Sequence, residues 1–64
     1  MVTKEEFGVK WKRSKDKFVV LANGDFGGNF ICADSAVYLG YSVDFYVGEK
    51  KIANISYDLI KDVY

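Results

Sequence analysis

Residues 36–47 have the sequence AVYLGYSVDFYV, and successive positions alternate between two sides of an extended chain. One side collects the larger apolar residues: Val37, Leu39, Tyr41, Val43, Phe45 and Val47. This period of two, with many β-branched and aromatic residues, is typical of a β-strand. It predicts one long strand over 36–47 that bends at Gly40. A short helix over 35–39 that ends at Gly40 is the alternative.

The segment after this strand matches it as the second half of a hairpin. A three-residue loop over 48–50 aligns apolar residues with apolar residues and polar residues with polar ones, which a one-residue slip would destroy. The predicted pairs are Phe45–Ala53, Val43–Ile55, Tyr41–Tyr57, Asp44–Asn54 and Ser42–Ser56.

Three further connections are predicted upstream. Asn23-Gly24 is a strong two-residue hairpin signal and pairs Leu21 with Phe26. An Asp34-Ser35 turn pairs Phe30 with Leu39 and Cys32 with Val37. A first strand over 7–12, followed by a loop over 14–16, brings Trp11 opposite Val19.

These connections place one set of side chains on a common inner face: Phe7, Val9, Trp11, Val19, Leu21, Phe26, Phe30, Cys32, Val37, Leu39, Tyr41, Val43, Phe45, Val47, Ala53, Ile55 and Tyr57. The sequence therefore predicts a mainly β domain over 1–64, with residues 1–5 flexible. A five-stranded antiparallel meander with one apolar face is expected to curl into a small half-open barrel, SH3-like or OB-like. Residues 58–64 form either a short helical turn with Asp58 as N-cap or a 3₁₀ turn and a closing strand, and bury Leu59, Ile60 and Val63.

Composition limits the function. Nine basic and nine acidic residues balance to zero, and histidine is absent. Cys32 is the only cysteine, which excludes an internal disulfide and favours a reducing compartment. Without a histidine to activate Cys32 or a cluster of carboxylates, we expect no enzyme activity and no cofactor or metal. We expect a cytoplasmic protein that does not enter a membrane. The Lys, Ile, Asn and Tyr usage of residues 45–64 is typical of small proteins of low-GC bacteria and their phages, but no motif identifies a family.

The outer face of the predicted sheet is unusually apolar for a surface that meets water. Contiguous exposed aromatic side chains mark interaction sites. We therefore predict a non-enzymatic binding module, an adaptor or inhibitor, that engages a protein partner through Phe18, Val20, Ile31, Tyr38 and Tyr46. If the C-terminal segment covers this face, no exposed patch remains.

Two other functions stay open. The segment KWKRSKDK, residues 10–17, predicts nucleic-acid binding by a small barrel through Lys10, Lys12, Arg13, Lys15 and Lys17. A homodimer that uses the outer face as an assembly surface is the other alternative. Four acids with no base between residues 18 and 49 also offer a surface to a basic partner: Asp25, Asp34, Asp44 and Glu49.

Overall fold

The computed structural model describes residues 2–22 and 29–64. Within them the chain forms one α-helix, six short strands and one 3₁₀ turn. The elements are α1 (Lys4–Arg13), β1 (Phe18–Leu21), β2 (Phe30–Cys32), β3 (Ser35–Tyr38), β4 (Ser42–Val47), β5 (Lys50–Ser56), the 3₁₀ turn Tyr57–Leu59 and β6 (Ile60–Val63).

The strands form two antiparallel sheets of three. The β1 sheet has the order β2-β1-β6, and the β4 sheet has the order β3-β4-β5. Only Ala33 and Asp34 separate β2 from β3, so the chain passes from one sheet directly into the other. The prediction of a mainly β, antiparallel domain is confirmed. The five-stranded meander is not confirmed, because the strands pair within two separate sheets. No closed barrel is present in the part of the chain that the structure describes.

The predicted first strand over residues 7–12 is wrong, because these residues lie in α1. Thr3 is the N-cap, and its hydroxyl accepts a hydrogen bond from the Glu6 backbone N–H at 3.1 Å. Acidic residues follow in the first turn and basic residues in the last, which suits the helix dipole. Phe7 and Trp11, four residues apart, face the core, whereas Val9 is 51% exposed. Val2, just before the helix, is buried in the core as well.

The predicted long strand is also divided. The chain reverses at Leu39–Tyr41, so that β3 and β4 pair with each other. The Leu39 N–H donates to the Ser42 carbonyl at 2.8 Å, and the Tyr57 hydroxyl donates to the Leu39 carbonyl at 3.0 Å. Gly40 therefore marks a turn rather than a bend.

The predicted pairing of β4 with β5 is confirmed at four positions: Phe45–Ala53, Val43–Ile55, Asp44–Asn54 and Ser42–Ser56. Beyond Phe45 the register shifts, so Tyr46 pairs with Lys51. The fifth predicted pair, Tyr41–Tyr57, is joined by a hydrogen bond from the Tyr57 N–H to the Tyr41 carbonyl, but the two side chains do not lie on one face. Tyr57 is buried, whereas Tyr41 is 92% exposed.

The predicted faces of β2 and β3 are reversed. In β1–β2 the observed pairs are Phe18–Cys32, Val19–Ile31 and Val20–Phe30. The Leu21 N–H donates to the Asn29 carbonyl, which continues this register. It differs from the predicted register by an odd number of residues, which turns Ile31 inward and Phe30 and Cys32 outward. The Asn23-Gly24 turn and Phe26 lie outside the described residues.

The Asp34-Ser35 turn is wrong too, because β2 and β3 belong to different sheets. Pairing of β3 with β4 instead turns Ala36 and Tyr38 inward, opposite Phe45 and Val43. Of the predicted inner face, seven residues are exposed: Val9, Phe30, Cys32, Val37, Leu39, Tyr41 and Val47.

The C-terminal segment adopts the second predicted form, a 3₁₀ turn and a closing strand, and β6 pairs with β1. Ile60 and Val63 are buried as expected, whereas Leu59 is exposed. Ser56 rather than Asp58 occupies the N-cap position of the turn.

The core lies between the two sheets and is closed by α1. Phe7 is fully buried, and its ring contacts four other rings with centroids 5.7–6.1 Å away: Trp11, Tyr38, Phe45 and Tyr57. Edge-to-face contacts such as those with Tyr38 and Phe45 are favourable for aromatic pairs. Burial also raises the pKa of the Tyr57 hydroxyl. The helix thus supplies the side chain around which the aromatic rings of the β4 sheet and the 3₁₀ turn pack.

Candidate functional site: an aromatic face on the β1 sheet

The side of the β1 sheet that points away from the core carries three aromatic residues, Phe18, Phe30 and Tyr64, which we call the aromatic face. The Phe18 and Phe30 rings are stacked, with centroids 4.7 Å apart and planes 19° apart. Phe18 and Tyr64 exchange both backbone hydrogen bonds, at 3.2 and 2.8 Å, and such directly opposed residues project to the same side. Phe30 is 42% exposed and Tyr64 is 51% exposed.

Val20 lies on the same side of the sheet, opposite Phe30 on one neighbouring strand and Asp62 on the other. It is only 3% exposed. The aromatic face therefore has a closed apolar floor, while its rings remain partly open to water.

An ion pair borders the aromatic face at β6. The Lys10 ammonium of α1 donates to the Asp62 carboxylate at 2.9 Å. This hydrogen bond and the opposite charge lower the pKa of Asp62 and raise the pKa of Lys10. A hydrogen bond from the Tyr64 side chain also favours the ionised form of Asp62. The pair therefore ties the helix to the edge of the sheet.

The five residues predicted to bind a protein do not form one surface. Phe18 lies on the aromatic face and Val20 lies on its buried floor. Ile31 and Tyr38 point inward and pack against the core. Tyr46 lies on the outer side of the β4 sheet, opposite Ser35. The C-terminal segment does not cover this surface, since β6 extends the β1 sheet at its edge.

Phe30 and Tyr64 were not predicted to belong to the site. Phe30 was assigned to the inner face because its strand was placed in the wrong register. Tyr64 could have been found, since Asp62 and Tyr64 alternate with the apolar Val63 at the end of the closing strand. Its side then follows from the pairing with Phe18.

The outer side of the β4 sheet combines a network of polar side chains with Val37 and Tyr46. The Asn54 amide donates to the Asp44 carboxylate at 2.7 Å and to the Ser42 hydroxyl at 3.0 Å. Lys51 lies 3.7 Å from the same carboxylate. Asp34 accepts from the Gly48 N–H at 3.0 Å. Two of the acids expected to face a basic partner are thus engaged within the fold, and Asp25 lies outside the described residues.

The five cations predicted to bind nucleic acid fall into two groups. Lys10 is paired with Asp62. The Lys17 ammonium lies 4.8 Å from the centroid of the Trp11 ring and donates to the Trp11 carbonyl near the end of α1. Lys17 adopts φ of 53°, and these contacts offset the cost of that left-handed conformation. Trp11 itself is buried and offers no surface for stacking a base.

The second group is Lys12, Arg13 and Lys15, which are exposed. Among residues 2–22 and 29–64, no carboxylate lies within salt-bridge distance of these three side chains. An open cleft of about 420 Å³ is lined by Lys10, Arg13, Ser14, Lys15, Asp16, Val63 and Tyr64. Tyr64 lines this cationic cleft and belongs to the aromatic face, so the two regions border each other at Tyr64.

A second open cleft, of about 780 Å³, lies between the start of α1, the 39–41 turn and the start of the 3₁₀ turn; it is lined by Val2, Thr3, Lys4, Glu5, Gly40, Tyr41, Ser56, Tyr57 and Asp58. In the described part of the chain, no three His, Cys, Asp or Glu side chains come together as metal ligands. No helix within residues 2–22 and 29–64 is long and apolar enough to cross a membrane.

Comparison of the chain with protein-family models, with curated proteins and with solved structures found no match.

Proposed function

We propose that the chain is a small non-enzymatic binding module, an adaptor or inhibitor, that engages a protein partner through the aromatic face. The observation that carries this proposal is the Phe18–Phe30 stack on the side of the β1 sheet that faces away from the core. Solvated sheet faces carry polar residues, as the β4 sheet does here with Ser42, Asp44 and Asn54, which surround Val37 and Tyr46 rather than a ring stack. Aromatic residues are enriched at interface centres because a partner can desolvate large, rigid rings at little entropic cost.

The contacts of the basic segment favour a protein over a nucleic acid. Lys10 and Lys17 make contacts within the fold, and Trp11 is buried. Three of the five cations of the segment therefore remain available to a ligand, and its aromatic ring does not. The chain as a whole carries no net positive charge, whereas domains that hold a phosphate backbone usually do.

The two sheets, in this proposal, are halves of one small half-open barrel of the SH3-like kind. Four observations support it: β2 runs almost directly into β3, Ala33 between them is buried, Ile31 and Ala36 pack against one core, and a 3₁₀ turn precedes a last strand that returns to β1. One barrel has one cooperative unit, so amides of both sheets should exchange with solvent in a single slow class. Two separate classes would contradict it.

We place this module in the cytoplasm, because Cys32 is an exposed free thiol, and such thiols persist in reducing compartments.

The test of the binding function is a comparison of two serine substitutions. Phe30 lies on the aromatic face and Val37 lies on the outer side of the β4 sheet; they are 42% and 48% exposed. The immobilised chain with Phe30→Ser is expected to lose proteins from a lysate of the source cells that wild type and Val37→Ser both retain. Equal retention by all three would contradict the proposal. Sedimentation at high concentration separates a second copy of the chain from a different partner, since only self-association gives a dimer of the purified protein.

A further inference from the structure

Resting on the proposed function, we propose that the partner presents an acidic segment, with an apolar side chain on the aromatic face and carboxylates in the cationic cleft beside it. Charge complementarity favours this partner. On the β6 side the Lys10–Asp62 ion pair borders the aromatic face, and the cleft beyond it is lined by Arg13 and Lys15 as well as Lys10.

Arg13 and Lys15 carry the attraction in this proposal. Lys10 is neutralised by Asp62, whereas Arg13 and Lys15 have no carboxylate partner in the described residues. Asp16 also lines the cleft, so its side chains include two unpaired cations and one acid beside the Lys10–Asp62 pair. An arginine can hold a carboxylate through two parallel hydrogen bonds, which gives orientation as well as attraction.

The spacing suits a short peptide. β1 and β6 are neighbouring strands, and α1 lies beyond β6, to which Lys10 ties it. Tyr64, which is one strand spacing of about 5 Å from Phe18, lines the cleft. An extended chain advances about 3.3 Å per residue, so two or three residues reach from the Phe18 ring past Tyr64 to the cleft. One apolar residue with acids two or three positions away can therefore reach both regions.

The same surface limits what else fits. A basic segment would meet Arg13 and Lys15 with like charge. A single-stranded nucleic acid would find cations in the cleft, but the facing surfaces of Phe18 and Phe30 are already stacked on each other, so no base can enter between them.

The experiment uses labelled probe peptides and the full chain. The first probe has one phenylalanine flanked by glutamates; the second has lysines in place of the glutamates; the third has serine in place of the phenylalanine. A thymidine oligonucleotide is the fourth probe. Binding is followed by fluorescence anisotropy in low-salt buffer, and amide chemical shifts locate the bound peptide.

We expect the first probe to bind at least about tenfold more tightly than the second and the third. Arg13→Glu with Lys15→Glu should reduce its affinity about tenfold, because two ion pairs at the surface turn from attraction to repulsion. Lys50→Glu with Lys51→Glu is the matched control, since it makes the same change of charge at the start of β5 and should leave the affinity unchanged. Circular dichroism confirms that both double variants fold.

The remaining outcomes overturn the inference. They are the absence of binding by the first probe at millimolar concentration, equal binding of the first two probes, no effect of Arg13→Glu with Lys15→Glu, and tighter binding of the oligonucleotide. The proposed function is judged separately. If Phe30→Ser abolishes capture of the cellular partner while Arg13→Glu with Lys15→Glu does not, the proposed binding function is supported and the proposal of an acidic partner is contradicted. If the first probe binds equally well to Phe30→Ser, its site lies elsewhere and the inference fails with it.

Discussion

The two sheets use their outer sides differently. On the β4 sheet, Asn54 bridges Ser42 and Asp44, and Lys51 lies near the same carboxylate, so polar groups satisfy one another where the sheet meets water. On the β1 sheet, two phenylalanine rings stack over a buried valine. The β4 side thus mixes hydrogen-bonded polar groups with Val37 and Tyr46, whereas aromatic rings over an apolar floor dominate the β1 side, and that concentration of rings needs a reason beyond folding. A surface that other molecules desolvate is such a reason.

The largest expected effect comes from placing a charge on the floor of the aromatic face. Val20→Asp buries a carboxylate opposite Asp62, so desolvation and like charge both oppose folding. We expect a loss of about 3 kcal/mol or more, enough to abolish the cooperative unfolding transition of so small a domain. Thermal unfolding followed by circular dichroism measures it.

Ser56→Asp is the matched change on the β4 sheet. Ser56 is exposed and precedes the 3₁₀ turn, where a carboxylate is tolerated at the N-cap. Its melting curve should stay close to wild type. If Ser56→Asp and Val20→Asp had equal effects, the contrast between the two sheets would be wrong.

A smaller effect is expected from the ring stack. A double-mutant cycle with Phe18→Leu and Phe30→Leu should give a coupling free energy of about 1 kcal/mol, because stacked rings gain beyond their buried area. The equivalent cycle on the β4 sheet, with Lys51→Ala and Asp44→Ala, should give a smaller coupling that salt removes, since that pair is partly exposed. Urea unfolding at low and high salt distinguishes them; a salt-sensitive coupling between the phenylalanines would contradict the stack.

The smallest effect concerns the border between helix and sheet. The folded state lowers the pKa of Asp62, so the stability gained from its ionised form is present above the ordinary aspartate pKa of 3.8 and is lost as pH falls through the lower folded value. Asp62→Asn should therefore destabilise the domain by about 1 kcal/mol or less at neutral pH.

Below the folded pKa of Asp62, wild type and Asp62→Asn should approach equal stability. The raised pKa of Lys10 matters at the alkaline end of the pH range. The stability gained from the charged form of Lys10 is fully present below the usual lysine pKa of 10.5 and is lost as pH rises through the higher pKa of the folded state. Denaturant unfolding of both proteins across this range checks the two signs. A difference that grows on acidification would show that Asp62 acts through something other than its charge.

Local patterns predicted part of this fold well. The register of β4 with β5 follows from matching Val43 and Phe45 to Ile55 and Ala53, because that hairpin is short and its two rows differ in polarity. The faces of β2 and β3 could not be assigned in that way. Each depends on the length of a connection, and an error of one residue in a connection exchanges the sides of the whole strand.

The helix was missed because Phe7, Val9 and Trp11 satisfy a period of two as well as they do the spacing of four. Thr3 and Glu6 were the signal that separates these possibilities, since threonine followed three positions later by glutamate is a helix-start pattern. The aromatic face was predicted only through Phe18, because the side on which Phe30 and Tyr64 lie is set by strand pairing that no local pattern encodes.

Trp11 has a use that follows from its position. It is the only tryptophan of the chain, and it is enclosed by Phe7, Phe45 and the Lys17 ammonium where the helix meets the sheets. An indole shielded from water emits at shorter wavelengths than one in water. The chain therefore carries an optical reporter of its own, and release of α1 from intact sheets would shift the emission while leaving the β signal of the circular dichroism spectrum in place.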